Sequence, residues 1–550
     1  MIKVNEKSST IIFLFLLSII SFWTTYYYGN KGVFPVDSFG FFDSSFNVLI
    51  GKYPIKDFWS FSGIFVDFLG AFFFKIFGIN WNSYIFHSSF LNLLLSLCIF
   101  FTFVVLGLNK FLSFFYAACI SVIVYPISGT PFSYLSCLVF SYLSVSLFIL
   151  GVEKKITIFW LLLPLTMVLS FFSNQNPAGY INLIIIVFSL YFFFKEKNYR
   201  LLVIFLSSGL ILLSIFFLIL FILKIDFIDF FYQYILFPIS IGEGRVSGSD
   251  DAFLKIYESF NFKSLVHHFK FIHLILLALI FVLIKNFLNK KATYLENFII
   301  FFLILISISL IFHQLITANQ TFIFSLIPFL AGFLNTFLIR KKIKFSKIYL
   351  LFLFFFVAFC TTKYFLLYNE KRYFMDLQAV NWKNSIQAKN LDQRFNNLQW
   401  ITPEYSEDPK KELDLLKEAI NLLRLEKRKM MVITHYSFIS SFLQKDLNYP
   451  NRWYVGNSTF PDKKHKYFEY YKNFFKKKFQ NENIEIVYII DKNGINLNNF
   501  KIYLDNKCFI DKQISEIVFL FQISECKKKN INNHEYSRTS GKRTAKAVWS

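Results

Sequence analysis

Three carboxylates, Asp37, Asp43 and Asp57, stand in the first polar stretch of a chain that is otherwise largely apolar. Around them lie Pro35 and Ser38, then Gly51-Lys52-Tyr53-Pro54-Ile55-Lys56-Asp57-Phe58-Trp59, a Gly/Pro turn that runs into aromatic residues. Acids next to a bilayer are costly unless they face water or serve a function. One of them beside an acceptor hydroxyl would be a general base, taking the proton as that oxygen attacks an activated carbon. The same residues also suit solvated loop acids, or caps for short surface helices such as Phe39 to Leu49. Spacing alone does not choose between these roles.

The elements that hold these acids follow from composition. The chain has 550 residues, 55% of them hydrophobic, with 78 Phe and a formal net charge of +23. Apolar runs of nearly 20 residues recur, as transmembrane helices require. Candidate spans cover about 11–28, 83–107, 111–128, 132–150, 156–172, 178–194, 201–223, 270–288, 297–316, 320–339 and 346–367, eleven in all. The first resembles a signal sequence, but Tyr26-Tyr27-Tyr28 replaces a small-residue cleavage site, so it reads as a retained helix.

Basic residues set the orientation. With the N-terminus in the cytoplasm, Lys110, Lys154, Lys155, Lys195, Lys197, Arg200, Lys285, Lys290, Lys291 and Arg340 to Lys347 all fall inside, while the turns near 129, 175 and 317 carry no Lys or Arg. The run Phe61 to Phe77 contains Asp67 and Lys75 and would invert every later loop if it spanned, so it is expected to lie along the outer face. The Lys excess is thus used for topology and anionic lipid, and without a basic module no nucleic-acid partner is expected.

The expected fold is an α-helical polytopic membrane protein of about 11 spans with a small mixed α/β C-terminal extracytoplasmic domain. The membrane region is residues 1–367, with outer loops at about 29–82 and 224–269. Residues 368–526 form the outer domain, with a helix from Pro409 to Lys427, a Lys-rich helix near 463–480, and strands at Met430 to Ile433, Ile484 to Ile490 and Glu516 to Ile523. Residues 527–550 change composition and read as a disordered tail. Cys98, Cys119, Cys137 and Cys360 lie in apolar runs and read as packing residues, while Cys508 and Cys526 can pair if the tail is outside the cytoplasm. No Cys or His spacing, His267-His268 included, suits a metal. Gly242, Gly244 and Gly248 read as turn residues, because no dinucleotide fingerprint or strand–helix unit surrounds them.

An early outer-loop Asp followed by G-x-x-P-x-x-D-[FY]-W and an interfacial helix resembles the GT-C superfamily, integral-membrane glycosyltransferases that take sugar from a polyprenyl-phosphate carrier. The group includes protein O-mannosyltransferases and aminoarabinose transferases. The likeness extends to Phe171 through Tyr180, to Gln233 through Pro238 with Gly242 and Arg245, and to His313-Gln314, Asn319-Gln320 and Pro328. Two departures stand out: Ser38 follows Asp37 where many relatives have Glu, and Asn174 precedes Gln175 where many have Lys.

The resemblance implies inverting transfer of a sugar to a lipid, polysaccharide or protein acceptor, on the outer face of a bacterial-type plasma membrane. Asp37 matches the catalytic position, and Asp43 and Asp57 are left as acceptor-contacting or structural. Arg245 suits the donor phosphate, since a guanidinium is planar, permanently charged and bidentate. Gln175, His313 and Gln314 are possible substrate contacts. No cofactor is implied; relatives differ in divalent-cation use. Competing readings are an O-antigen polymerase or ligase, an envelope-polymer transporter, and a non-catalytic scaffold. A transporter predicts ionisable groups at mid-bilayer depth and internal repeats; here the charges gather at the outer rim.

Overall fold

The computed structural model describes residues 6–247, 261–289, 294–317, 323–340, 346–456, 459–492, 495–496, 498–504 and 507–524. Asn319, Gln320, Gly248, Cys526 and the 527–550 tail lie outside the described residues. Helices α1 (Glu6–Gly29), α2 (Pro35–Leu49), α3 (Ile64–Phe77), α4 (Trp81–Val105), α5 (Lys110–Ser121), α6 (Ser133–Lys154), α7 (Thr157–Ser173), α8 (Gln175–Lys195) and α9 (Tyr199–Leu223) come first. The next helical run comprises α10 (Phe227–Phe230), a π-helical turn Phe231–Leu236 and α11 (Phe237–Ser247). It is followed by α12 (Lys270–Asn289), α13 (Tyr294–Ile316), α14 (Leu326–Arg340) and α15 (Ser346–Tyr364).

Each expected span overlaps a helix, and among the described residues eight helices are long and apolar enough to cross a membrane. The other three, α5, α7 and α14, have 12, 17 and 15 residues. At 1.5 Å per residue they fall short of a hydrocarbon layer of about 30 Å. Asparagine punctuates the chain: the side chains of Asn80, Asn109 and Asn198 accept from the backbone N–H groups of Ser83, Leu112 and Leu201 and start α4, α5 and α9.

Helix α6 is the hub, 94% buried along its apolar window, whereas α9 is 11% buried and presents its side chains outward. Small polar residues let α6 and α7 approach closely: Ser141 Oγ lies 2.8 Å from Ser170 Oγ, and Ser144 Oγ donates to Thr166 Oγ1 at 2.9 Å. Helix α3 has 14 residues, about 21 Å long. Phe72, Ile76 and Phe77 are exposed, while Asp67 is buried on the other side.

The C-terminal region adds a ribbon of β1 (Ile386–Gln387) and β2 (Gln399–Trp400), then α16 (Pro409–Leu425), β3 (Met430–Thr434), α17 (Ile439–Leu443), α18 (Phe468–Asn481), β4 (Ile486–Ile490), β5 (Cys508–Gln513) and β6 (Val518–Ser524). The sheet order is β3-β4-β6-β5, with β3 and β4 parallel and the other pairs antiparallel. Alternate residues of β3 enter two cores. Met430 and Val432 pack with Leu413, Leu416 and Ile420 of α16, while Met431 and Ile433 pack with Tyr471 and Phe475 of α18. A strand covered on both faces reads as an unbroken apolar run, which is why its period of two is hidden in Met430 to Ile433. Strand β5 and the β1–β2 ribbon, polar and short, escape the sequence pattern.

The sheet is not a separate lobe. Its α16-side core continues into Phe39, Phe42 and Phe46 of α2 and Trp81 and Tyr84 of α4, and its α18-side core takes in Trp59, which precedes α3, and Phe237 of α11. The boundary at 367/368 falls inside the π-helical turn Phe365–Glu370 that extends α15. Cys508 is disulfide-bonded, while Cys98, Cys119, Cys137 and Cys360 are free.

Candidate functional site

Pro35 opens α2, where its missing N–H costs nothing, and Asp37 falls in the first turn. Ser38 turns away from this surface: it accepts from the Phe34 N–H at 3.1 Å, and its Oγ lies 3.9 Å from Met375 Sδ. Ser38, next to Asp37 in sequence, is therefore packed against sulfur. A second acid comes from the segment after α15. Asp376 acts on Asp37 by charge repulsion, and burial among protein atoms together with that repulsion raises the Asp37 carboxyl to about 7. Asp37 keeps part of its surface open, and its carboxylate has no hydrogen bond or ion pair among the described residues.

Arg372 fixes the turn that delivers Asp376. Its fully buried guanidinium donates to the carbonyls of Lys31, Pro126, Ile127 and Ser128 at 3.1, 3.0, 3.0 and 2.7 Å. Those bonds tie the chain after α15 to the loop after α1 and to the loop before α6. Both Arg372 and Asp376 take left-handed backbone angles, with φ of 50° and 53°. Neither residue is marked by sequence spacing, since Arg372 reads as an ordinary juxtamembrane cation.

Asp43 and Asp57 are tied down. The carboxylate of Asp43 is buried, accepting from Asn47 Nδ2 at 2.8 Å and from the Ser440 hydroxyl of α17. Burial raises its pKa well above the usual carboxylate range. Asp57 closes its own turn: Oδ2 accepts from the Tyr53 N–H at 2.7 Å while the Asp57 N–H donates to the Tyr53 carbonyl at 2.9 Å. Lys478 of α18 donates to the Asp57 carbonyl at 2.6 Å. Gln175 is likewise a strut, its Nε2 donating to Phe61 O at 2.6 Å and Tyr234 O at 3.0 Å, so that it joins the segment before α3 to the π-helical turn Phe231–Leu236.

A second polar set lies around the first turn of α6. Phe132, its N-cap, offers no side-chain cap and meets Phe374 edge-on at 5.2 Å, two residues from Asp376. Tyr134 stacks on His313 at 5.4 Å. Arg245, at the end of α11, lies close enough to act on His313 through its charge, and Gln314 is buried beside that histidine. Neither ring nitrogen of His313 has a partner among the described residues. Asp376 thus acts on Asp37 through its charge, and separately Arg245 acts on His313, which stacks on Tyr134 in the first turn of α6. The second set offers a guanidinium and the positive end of a helix dipole, both suited to an anionic group. No group of three or more His, Cys, Asp or Glu suited to a metal occurs among the described residues. A surface cleft of about 190 Å³ lined by Asp392, Lys417, Asn421 and Arg424 belongs to the C-terminal region and does not include Asp37 or Arg245.

No protein-family model matches this chain, and no curated protein matches it.

Proposed function

We propose that the chain is an inverting glycosyltransferase of the GT-C type, moving a sugar from a polyprenyl phosphate to a lipid, polysaccharide or protein acceptor of the cell envelope. The reading takes eleven spans, a cytoplasmic N-terminus and a C-terminal region outside a bacterial-type plasma membrane. The alternation of basic loops supports that orientation. So does the disulfide at Cys508, because such bonds persist in oxidising compartments.

One observation carries the assignment of the base. Of the three outer-loop acids, Asp37 alone has a carboxylate without a hydrogen-bond or ion-pair partner among the described residues, whereas Asp43 and Asp57 are committed to packing. In the proposed reaction an acceptor hydroxyl attacks the anomeric carbon as its proton passes to Asp37. The bond from that carbon to the phosphate oxygen breaks, and the phosphate leaves with the electron pair. Arg245 offsets the charge on the departing phosphate, and His313 and Gln314 offer polar contacts beside it. Orientation and charge stabilisation provide most of the rate in such a step.

Deletion of the gene followed by complementation with wild-type or Asp37→Asn protein tests this. Loss of a general base typically lowers the rate by about two to four orders of magnitude. Mass comparison of surface glycolipids is expected to show a sugar missing in the deletion strain and still missing with Asp37→Asn. Full restoration by Asp37→Asn removes Asp37 as the base.

A further inference from the structure

Parallel strands β3 and β4 are in register, Thr434 opposite Ile490, so the next residue of each, His435 and Asp491, emerge side by side at the carboxyl end of the pair. Ligands of α/β sheets gather outside the carboxyl ends of parallel strands. The strand end is fixed, because Thr434 Oγ1 donates to the Ile490 carbonyl at 2.6 Å and accepts from the Tyr436 N–H at 2.9 Å. His435 Nδ1 lies 3.7 Å from Asp491 Oδ2, and the two side chains are 9% and 6% exposed. His435 Nε2 has no partner among the described residues.

An Nδ1–H directed at Asp491 leaves the Nε2 lone pair as an acceptor, which calls for a hydroxyl or N–H donor rather than an anion. Burial lowers the imidazole to about 4, so it stays neutral and attracts no phosphate. Beside the pair the buried Tyr454 ring lies 6.0 Å from the imidazole, and the Glu404 carboxylate is near enough to act on Asp491. Lys492 lies over the Tyr405 ring at 3.9 Å and donates to the Glu404 carbonyl at 3.2 Å. The site also adjoins α2. Ser437, two residues after His435, donates to the carbonyl of Phe39, two residues after Asp37, at 3.0 Å.

We propose that the carboxyl end of β3 and β4, at His435 and Asp491, is a saccharide-binding subsite whose His435 Nε2 accepts a hydrogen bond from a sugar hydroxyl, and that it holds the acceptor. This makes the acceptor a glycan and rests on the transferase reading. In it His435 touches ligand and Asp491 is a positioning residue.

The test uses the full chain in nanodiscs and saturation-transfer NMR with a panel of methyl glycosides of hexoses, N-acetylhexosamines, deoxyhexoses and pentoses. At least one glycoside is expected to receive saturation from the wild type. His435→Leu and the shape-preserving Asp491→Asn are each expected to weaken it at least tenfold, and the exposed control Lys389→Ala to leave it unchanged. In transfer assays the Asp491→Asn loss falls on the acceptor KM rather than on kcat. The subsite is overturned if no glycoside receives saturation, or if both variants bind as the wild type does, which would leave the unpaired nitrogen to a water molecule. Transfer lost in Asp37→Asn with sugar binding intact in His435→Leu removes the subsite alone. Full transfer by Asp37→Asn removes the base and leaves the subsite standing.

Discussion

Arg452, in the segment between α17 and α18, donates to the carboxylate of Asp67 in α3, with both side chains buried, 1% and 0% exposed. Ser44 of α2 donates to the same carboxylate at 2.5 Å, and the guanidinium lies 4.4 Å from the centre of the Phe41 ring and donates to the Ser62 carbonyl. The acid that makes α3 unsuitable as a span is therefore paired with a cation 385 residues away in sequence. Removing one partner of a buried pair leaves the other charge unpaired, at a cost of about 3–5 kcal/mol. Arg452→Ala and Asp67→Ala are each expected to lower the unfolding temperature in nanodiscs, and the double variant is expected to lose less than the sum of the two. Additive losses would show that the pair is not coupled.

Transfer by the wild type is expected to rise with pH up to about 7 and level off above it, because Asp37 works as base only when ionised and its carboxyl is raised to about 7. Initial rates between pH 5 and 9 with donor at saturation measure this. A flat profile across that range separates Asp37 from the rate.

Asp376→Asn removes the negative neighbour of Asp37. The acid limb of the same profile is expected to move to lower pH, yet to stay above the ordinary carboxylate range because burial, the larger cause, remains. An unmoved limb would show that Asp376 does not bear on the base.

Asp43→Asn and Asp57→Asn are expected to retain transfer while lowering stability, by roughly 1–3 kcal/mol for a disturbed buried hydrogen-bond set. Parallel rate and thermal-unfolding measurements separate the two effects. A loss of rate at unchanged stability would return either acid to the chemistry.

Glu412 in α16 is buried and accepts from Trp400 Nε1 at 2.7 Å, Thr402 Oγ1 at 2.9 Å and the Tyr436 hydroxyl at 2.7 Å. Burial outweighs those bonds and raises its carboxyl to about 7 from an ordinary 4.5. A raised folded-state value makes the contribution to stability complete below about 4.5 and lost as pH rises through about 7, a difference of about 3 kcal/mol. Unfolding temperatures between pH 5 and 8 are expected to fall less steeply in Glu412→Gln than in the wild type. Equal slopes would mean that Glu412 titrates normally.

Local pattern carries part of this fold without help from tertiary contacts. Apolar runs placed the long apolar helices, because burial of a whole helix needs an unbroken apolar stretch. The amphipathic face of α16 and the apolar runs of β3 and β4 were legible in the same way. Tertiary structure decided which acids are available. Asp37, Asp43 and Asp57 are equivalent as residue types; Ser440, brought from 397 positions away, holds the Asp43 carboxylate, the Asp57 carboxylate closes its own turn on Tyr53, and the Asp37 carboxylate has no such partner among the described residues. It also supplied Asp376 beside Asp37, Arg452 beneath α3 and Asp491 beside His435. A side chain's chemistry depends on its desolvation and on the charges around it, and both are properties of the packed chain.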